Sequence, residues 1–279
     1  MTTETTILRM RVKDYEELTK VIAQKKQRLI SFYGIDEADP KLDPLLNGER
    51  GIEGLETLKG RASRDIEREL RNIDIWPLWL EKIPGIGPAI AGGLVLLYYS
   101  KNVAICQKCG GDLEKIDGGL KCKTCGAEAK ANGVLKYRAE LRDFPNISKW
   151  WAFMGMHTVD GVMPKRKKGV VVNWSTKGRT LCYLAGEQFN RQTEDHPYKA
   201  IMLEKKRKYA LKHPDWTKGH IHNAARHDTT KLFLAHFWVV AREIDELPVT
   251  DPYAGAILGH TGIIGPFYWD EPEKAKKKA

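Results

Sequence analysis

Two Cys-x-x-Cys pairs, Cys106 with Cys109 and Cys122 with Cys125, constrain this chain more than any other feature. Each pair sets two thiolates on one side of a tight turn, and the twelve residues between Cys109 and Cys122 let the two turns face each other. Gly110 and Gly126 follow the second cysteine of each pair, so each turn can close with backbone amides near sulfur. Four thiolates so placed form a tetrahedral shell with no open position, which suits a structural Zn2+. An iron–sulfur centre or a redox dithiol would use the same residue type, but the ribbon spacing favours zinc. The expectation is a small β-rich zinc ribbon over residues 103–127, with Cys106, Cys109, Cys122 and Cys125 as ligands. The fifth cysteine, Cys182, falls in a helical stretch and reads as a small buried apolar residue.

The rest of the chain reads as helical. Residues 7–33 carry Leu18, Val21, Ile22, Leu29 and Ile30 at helical spacing. A Pro- and Asp-rich turn at 36–44 breaks that helix, and Gly48, Gly51 and Gly54 predict a flexible connection. Asp36, Glu37, Asp39 and Asp43 cluster there and read as a solvated loop. Helical character resumes at Leu55 and is interrupted near Pro77. Later helices are expected at about 176–191, 197–212 and 222–246, with a basic, disordered tail from Lys274. The fold class is therefore mainly α: a helix-hairpin-helix-containing helical domain with a small β-rich zinc-ribbon insertion. The expected division is a helical segment and linker (1–54), a helix plus hairpin (55–102), the ribbon (103–127), a serine-containing helical domain (128–250) and a tail (251–279).

A net charge of +10 favours a polyanionic partner. No apolar run approaches the ~20 residues that cross a bilayer, and the first residues lack the basic-then-apolar order of a signal peptide. With cysteines arranged for metal rather than for disulfides, the expected setting is cytoplasmic, with no membrane partner.

Ile83-Pro84-Gly85-Ile86-Gly87-Pro88 sits between a helix expected to end near Lys82 and another beginning at Pro88. Two glycines permit close backbone approach, and proline at the first helical position leaves amides free for an anion. This is similar to the helix-hairpin-helix motif, which holds the DNA backbone without reading bases; an ordinary interhelical turn is the alternative. Pro84, Gly85, Ile86 and Gly87 are the candidate contacts, with the basic run Lys165, Arg166, Lys167 and Lys168. A second basic run, Lys205 to Lys208, and the aromatics Trp150, Trp151, Trp174 and Tyr209 are candidates for backbone contact and base stacking. Ser175 precedes a helix and reads either as its N-cap or as a nucleophile. In the second case Lys177 and Arg179 would stabilise an anionic phosphorus centre. His220, His222 and His227 read as helix-entry and phosphate-contact residues rather than as a metal site.

Three segments together carry a resemblance. Trp79 to Ala91, Phe144-Pro145-Asn146 through Met156, and Ser175-Thr176-Lys177-Gly178-Arg179 follow the order found in the C-terminal domain of insertion-sequence transposases of the one-ten type, to which pilin-gene invertases are related. A looser fourth match is Ala225-Arg226 through Leu232, and the whole spans about residues 60 to 245. The resemblance implies DNA recombination or transposition, with Ser175 as nucleophile and Lys177 and Arg179 beside it. Such recombinases carry a RuvC-like domain whose acidic residues bind divalent metal, and related systems use a guide RNA. About 50 residues precede the matched region here, fewer than the ~100 of a typical domain. The metal-binding carboxylates, with Mg2+, are therefore expected from a partner nuclease subunit or through a homo-oligomer. A non-enzymatic nucleic-acid-binding protein that keeps the recombinase's DNA-binding domain is the alternative, and a protein-binding zinc module a third.

Overall fold

The computed structural model describes residues 2–34, 44, 46, 48–49, 52–117, 119–130, 136–159, 162–170, 172–250 and 264–268. The acidic residues Asp36, Glu37, Asp39 and Asp43 and the basic tail from Lys274 lie outside these. The described helices are α1 (Thr2–Tyr33), α2 (Leu55–Leu70), α3 (Ile75–Leu78), α4 (Pro88–Tyr99), α5 (Ile147–Phe153), α6 (Thr176–Arg191), α7 (Pro197–Lys212) and α8 (Lys218–Ile244), with a 3-10 turn at Leu80–Lys82. The strands are β1 (Gly48–Glu49), β2 (Ile52–Glu53), β3 (Ser100–Ile105), β4 (Leu113–Ile116), β5 (Gly119–Cys122), β6 (Glu128–Lys130) and β7 (Lys136–Leu141). The protein is mainly helical with a small sheet component.

Helix α4 organises the body. Its sequence is apolar on every side, which marks a helix enclosed by others. It packs on α1, α2 and α6. Gly92 and Gly93 let those neighbours close in. A Cβ at Gly92 would stand 2.9 Å from Val12 and 3.0 Å from Ile66, and one at Gly93 would stand 2.7 Å from Leu181. Adjacent residues thus face opposite neighbours, α1 and α2 on one side and α6 on the other.

The Phe144–Met156 segment is held by α8. Trp238 Nε1 donates to Phe144 O at 2.7 Å, and buried Arg242 donates to the same carbonyl at 3.1 Å and to Asp143 at 3.2 Å. Around this anchor Tyr98, Phe144, Trp150 and Phe237 form an aromatic cluster in which Tyr98 meets Trp150 edge-on, centroids 5.2 Å apart at 90°.

The excursion that carries the paired cysteines is longer than the expected 103–127. Strand β3 leaves α4 directly and pairs antiparallel with β7, from Ser100↔Leu141 to Ile105↔Lys136. This two-stranded stalk carries the three-stranded β4–β5–β6 sheet at its tip. Within the expected connection, β1 and β2 form a two-pair ladder, Gly48↔Glu53 and Glu49↔Ile52. Among the described residues, no helix is long and apolar enough to cross a membrane.

Candidate functional site

The Ile83–Pro88 turn is pinned from below and open at one point. Ile83 and Ile86 are buried, and Ile86 N donates to Ile83 O at 3.1 Å. Gly85 adopts φ 88°, a left-handed conformation that favours glycine, and a Cβ there would meet Gln192 Nε2 at 2.8 Å. His196, ahead of α7, joins its Nε2 to Pro84 O at 3.1 Å, and burial holds its pKa below the ordinary 6.5. Gly87 differs: apart from its chain neighbours, no heavy atom of the described residues lies within 4 Å of where its Cβ would be. Pro88 occupies the first turn of α4, and helical bonding begins with Ala91 N to Gly87 O at 3.0 Å. The N–H groups of Ala89 and Ile90 precede that first bond, so they have no intrahelical acceptor. The element before the turn is the 3-10 helix Leu80–Lys82, which ends at the expected Lys82 after the interruption expected near Pro77. The chain breaks at Trp79, whose ring stacks on Phe233 at 5.6 Å and whose Nε1 donates to Pro266 O at 2.9 Å. Burying that indole in the core splits the approach into α3 and the 3-10 turn.

The four paired cysteines converge. Cys106 and Cys125 sulfurs are 3.6 Å apart, Cys109 and Cys122 sulfurs 3.4 Å, and all four lie within 4.8 Å of one another. Zinc–sulfur bonds of ~2.3 Å give a tetrahedron with edges of ~3.8 Å, so the cluster is compatible with structural Zn2+. The two knuckles repeat one geometry. Gly110 at φ 75° donates to Cys106 O at 2.9 Å, and Gly126 at φ 70° donates to Cys122 O at 3.0 Å. The Cys125 amide points at the Cys122 sulfur at 3.5 Å and pulls that thiol down to about 6, against the opposing effect of desolvation. Cys106 is drawn down as well, chiefly by the Cys109 amide. At Cys109 the Gly111 amide pulls down, but the neighbouring sulfurs of Cys125 and Cys122 push the thiol up to about 12. The thiolate is the form a metal takes.

Ser175 is the N-cap of α6. Its Oγ accepts from Gly178 N at 2.9 Å, and its own amide donates to Phe153 O at 2.7 Å. The two cations expected beside it diverge. Lys177 Nζ pairs with Glu16 on α1 at 2.6 Å. Arg179 stacks over Trp174 at 4.3 Å and donates to Pro164 O at 2.5 Å. Burial lowers the Arg179 pKa, partly offset by Cys182. Cys182 itself is buried, and that burial raises its thiol well above the ordinary range.

The basic and aromatic candidates separate by burial. Lys165, Arg166, Lys167 and Lys168 are exposed together. Trp150 and Trp174 are buried and cannot stack on bases; the first serves the aromatic core and the second supports Arg179. Trp151 is half-buried beneath Lys231, whose Nζ lies 4.3 Å from the ring centre. Of the second run, Lys205 pairs with Asp228 at 3.6 Å and Lys208 with Glu204 at 2.5 Å. Tyr209 donates to Asp228 at 2.6 Å. Burial would raise the Asp228 carboxyl, but bonds from His227 and Tyr209 and the charge of Lys205 hold it down to about 2. The three histidines part company. His220 stacks on Trp216 at 3.9 Å, with His213 on the other side at 4.0 Å. His222 lies 3.9 Å from Glu187, and His227 lies 3.4 Å from Asp228. The His213–Trp216–His220 stack was legible only as ring residues spaced three and four apart across a turn. No protein-family model, curated protein or solved structure matches this chain, so the placement of its residues is what speaks for function.

Proposed function

We propose that this protein binds DNA by its phosphodiester backbone, as a transposase-type protein whose Ile83–Pro88 turn works as a helix-hairpin-helix grip. One observation carries the reading: Gly87 opens on free space at the head of α4, beside the amides of Ala89 and Ile90. A phosphate oxygen reaches backbone N–H groups most easily where no Cβ intervenes and a helix begins. The net charge of +10 and the exposed Lys165–Lys168 run supply long-range attraction. The zinc-binding excursion has a structural part in this reading. The test is fluorescence anisotropy on several duplexes of unrelated sequence at rising salt. Similar affinities and a slope of log affinity on log salt of about −0.9 per phosphate contacted are expected. A flat salt response would contradict the proposal.

Strand chemistry at Ser175 is a second reading, favoured by one feature of the cap. The Ser175 oxygen accepts from Gly178, which leaves its own proton to be given up, and Arg179 lies one turn along the same face of α6. Attack on a phosphodiester would join Oγ to phosphorus and expel one deoxyribose oxygen, which leaves as a hydroxyl with the serine's proton. It would also need Mg2+ and carboxylates from a partner subunit or a second copy, with or without a guide RNA. Ser175→Asn keeps a capping side chain but removes the nucleophile. A protein-linked DNA species on a denaturing gel, formed by the wild type and not by Ser175→Asn, supports this reading. If both proteins bind DNA and neither becomes linked to it even with that partner present, binding alone stands.

A further inference from the structure

A cavity of ≈ 250 Å³ lies between α6 and α8, on the α6 face that runs from Ser175 through Arg179 and Cys182. Arg179 and Tyr183 line it from α6, Asn223, Arg226 and His227 line it from α8, and Met163 adds an apolar wall. Two guanidinium groups from distant parts of the sequence therefore meet here. Each lies over an aromatic ring with its guanidinium carbon 4.3 Å from the ring centre, Arg179 over Trp174 and Arg226 over Tyr183. A cation over a ring face keeps its N–H groups for hydrogen bonds, of which each arginine can donate five. Arg179 donates from Nη1 to Pro164 O. Arg226 donates to Glu187 from Nη1 and to Asn223 Oδ1 from Nη2 at 3.0 Å. Both retain donors.

His227 Nε2 has no hydrogen-bond partner among the described residues but is enclosed by protein, so His227 meets the cavity through its other atoms. The arrangement also depends on a gap in α6: a Cβ at Gly186 would stand 2.6 Å from Arg226 Cγ, so glycine there lets the arginine cross the helix. Glu187 offsets part of the Arg226 charge, but no carboxylate is among the residues that line the cavity. At roughly 30 Å³ per water, the volume equals about eight waters, enough for a phosphate group with part of its ester substituent.

From these contacts we infer that the α6–α8 cavity is a phosphate-binding site, held by Arg179 and Arg226 with His227 and Asn223 at its rim. The phosphate is either that of a nucleic acid or free inorganic phosphate; only the first source rests on the DNA-binding reading. The α6 residues that line it, Arg179, Cys182 and Tyr183, lie about 6 to 12 Å along the helix axis from Ser175, so the site is separate from that hydroxyl.

The probe is inorganic phosphate, titrated calorimetrically into the full zinc-loaded chain. Saturable binding at one site is expected, weakened at least ten-fold by Arg226→Gln. Because that change strands Glu187, Met163→Trp provides a second variant, which fills the cavity without removing a charge. It should weaken phosphate binding as much while leaving the melting temperature near that of the wild type. A parallel arm compares oligonucleotides bearing a 5′-phosphate or a 5′-hydroxyl. Tighter binding of the phosphorylated strand by the wild type, lost in Met163→Trp, assigns the site to nucleic acid. Phosphate binding without that difference assigns it to the free ion. Phosphate binding with no DNA binding at all keeps the site and overturns the DNA-binding reading. No saturable phosphate binding by the wild type, or binding that survives both substitutions, overturns the site.

Discussion

Ser175 and Gly87 each precede a helix, and their surroundings set them to different work. Ser175 uses its oxygen to cap α6, so Ser175→Ala should cost about 1 kcal/mol of stability, while Ser175→Asn should cost only a few tenths. Urea denaturation of the two variants checks this. Gly186→Ala pushes a methyl group against Arg226 and should cost about 1–3 kcal/mol, unless the arginine swings out of the cavity. A loss of stability, or a loss of phosphate binding without it, are the two expected forms of that conflict; neither appearing would mean Arg226 does not cross there. The sequence made the Ser175 cap and the buried Cys182 legible, because both depend on near neighbours. It could not show that Lys177 turns to Glu16 or Arg179 to Pro164, since those partners are set by how α1 and the 162–170 segment pack.

Among the elements, α6 and α7 match their expected bounds, while α8 begins four residues earlier than expected, at Lys218, behind the Thr217 cap. The β3–β7 stalk does not announce itself, because its two strands pair across an intervening sheet and each is only six residues long. The interruption before the hairpin is readable from Pro77, whereas the packing of Trp79 against Phe233 depends on a partner about 150 residues away in the chain. Because stalk and tip grow from the end of α4 rather than from its middle, metal removal should act locally. Chelation is expected to abolish protection from hydrogen exchange in residues 100–141 while leaving most of the helical circular dichroism intact. Collapse of the helical signal on chelation would show that the body depends on the ribbon. Gly93→Ala should cost about 1–3 kcal/mol by forcing Leu181 aside, a penalty seen in denaturant midpoint rather than in metal content.

For the molecule as a whole, acid is the expected weakness. His236 is buried in α8, with Nδ1 taking the Tyr198 hydroxyl and Nε2 giving its hydrogen to Ile264 O, both at 2.8 Å. Burial holds it down to about 4 from its ordinary 6.5. The unfolded chain gains this proton as pH falls through 6.5, whereas the folded one resists until about 4. Stability should therefore fall across that window by about 3 kcal/mol, and His236→Gln should flatten the decline. Asp228 adds a second loss at lower pH: its contribution is present above 3.8 and disappears as pH falls through about 2. Urea midpoints from pH 7 to pH 4 test the first window. The overall helical class and the basic charge were open to sequence reading, but the α6–α8 cavity was not, because it needs two helices brought face to face.

The most direct test of the backbone grip is Gly87→Asp. Open space at that position accepts the side chain, and aspartate is a favourable N-cap for α4, so the melting temperature should hold or rise. The new carboxylate would stand where a phosphate approaches. Duplex affinity at low salt is predicted to fall at least ten-fold, equivalent to about 1.4 kcal/mol. Wild-type affinity in a stably folded Gly87→Asp protein would contradict the hairpin's role in holding DNA.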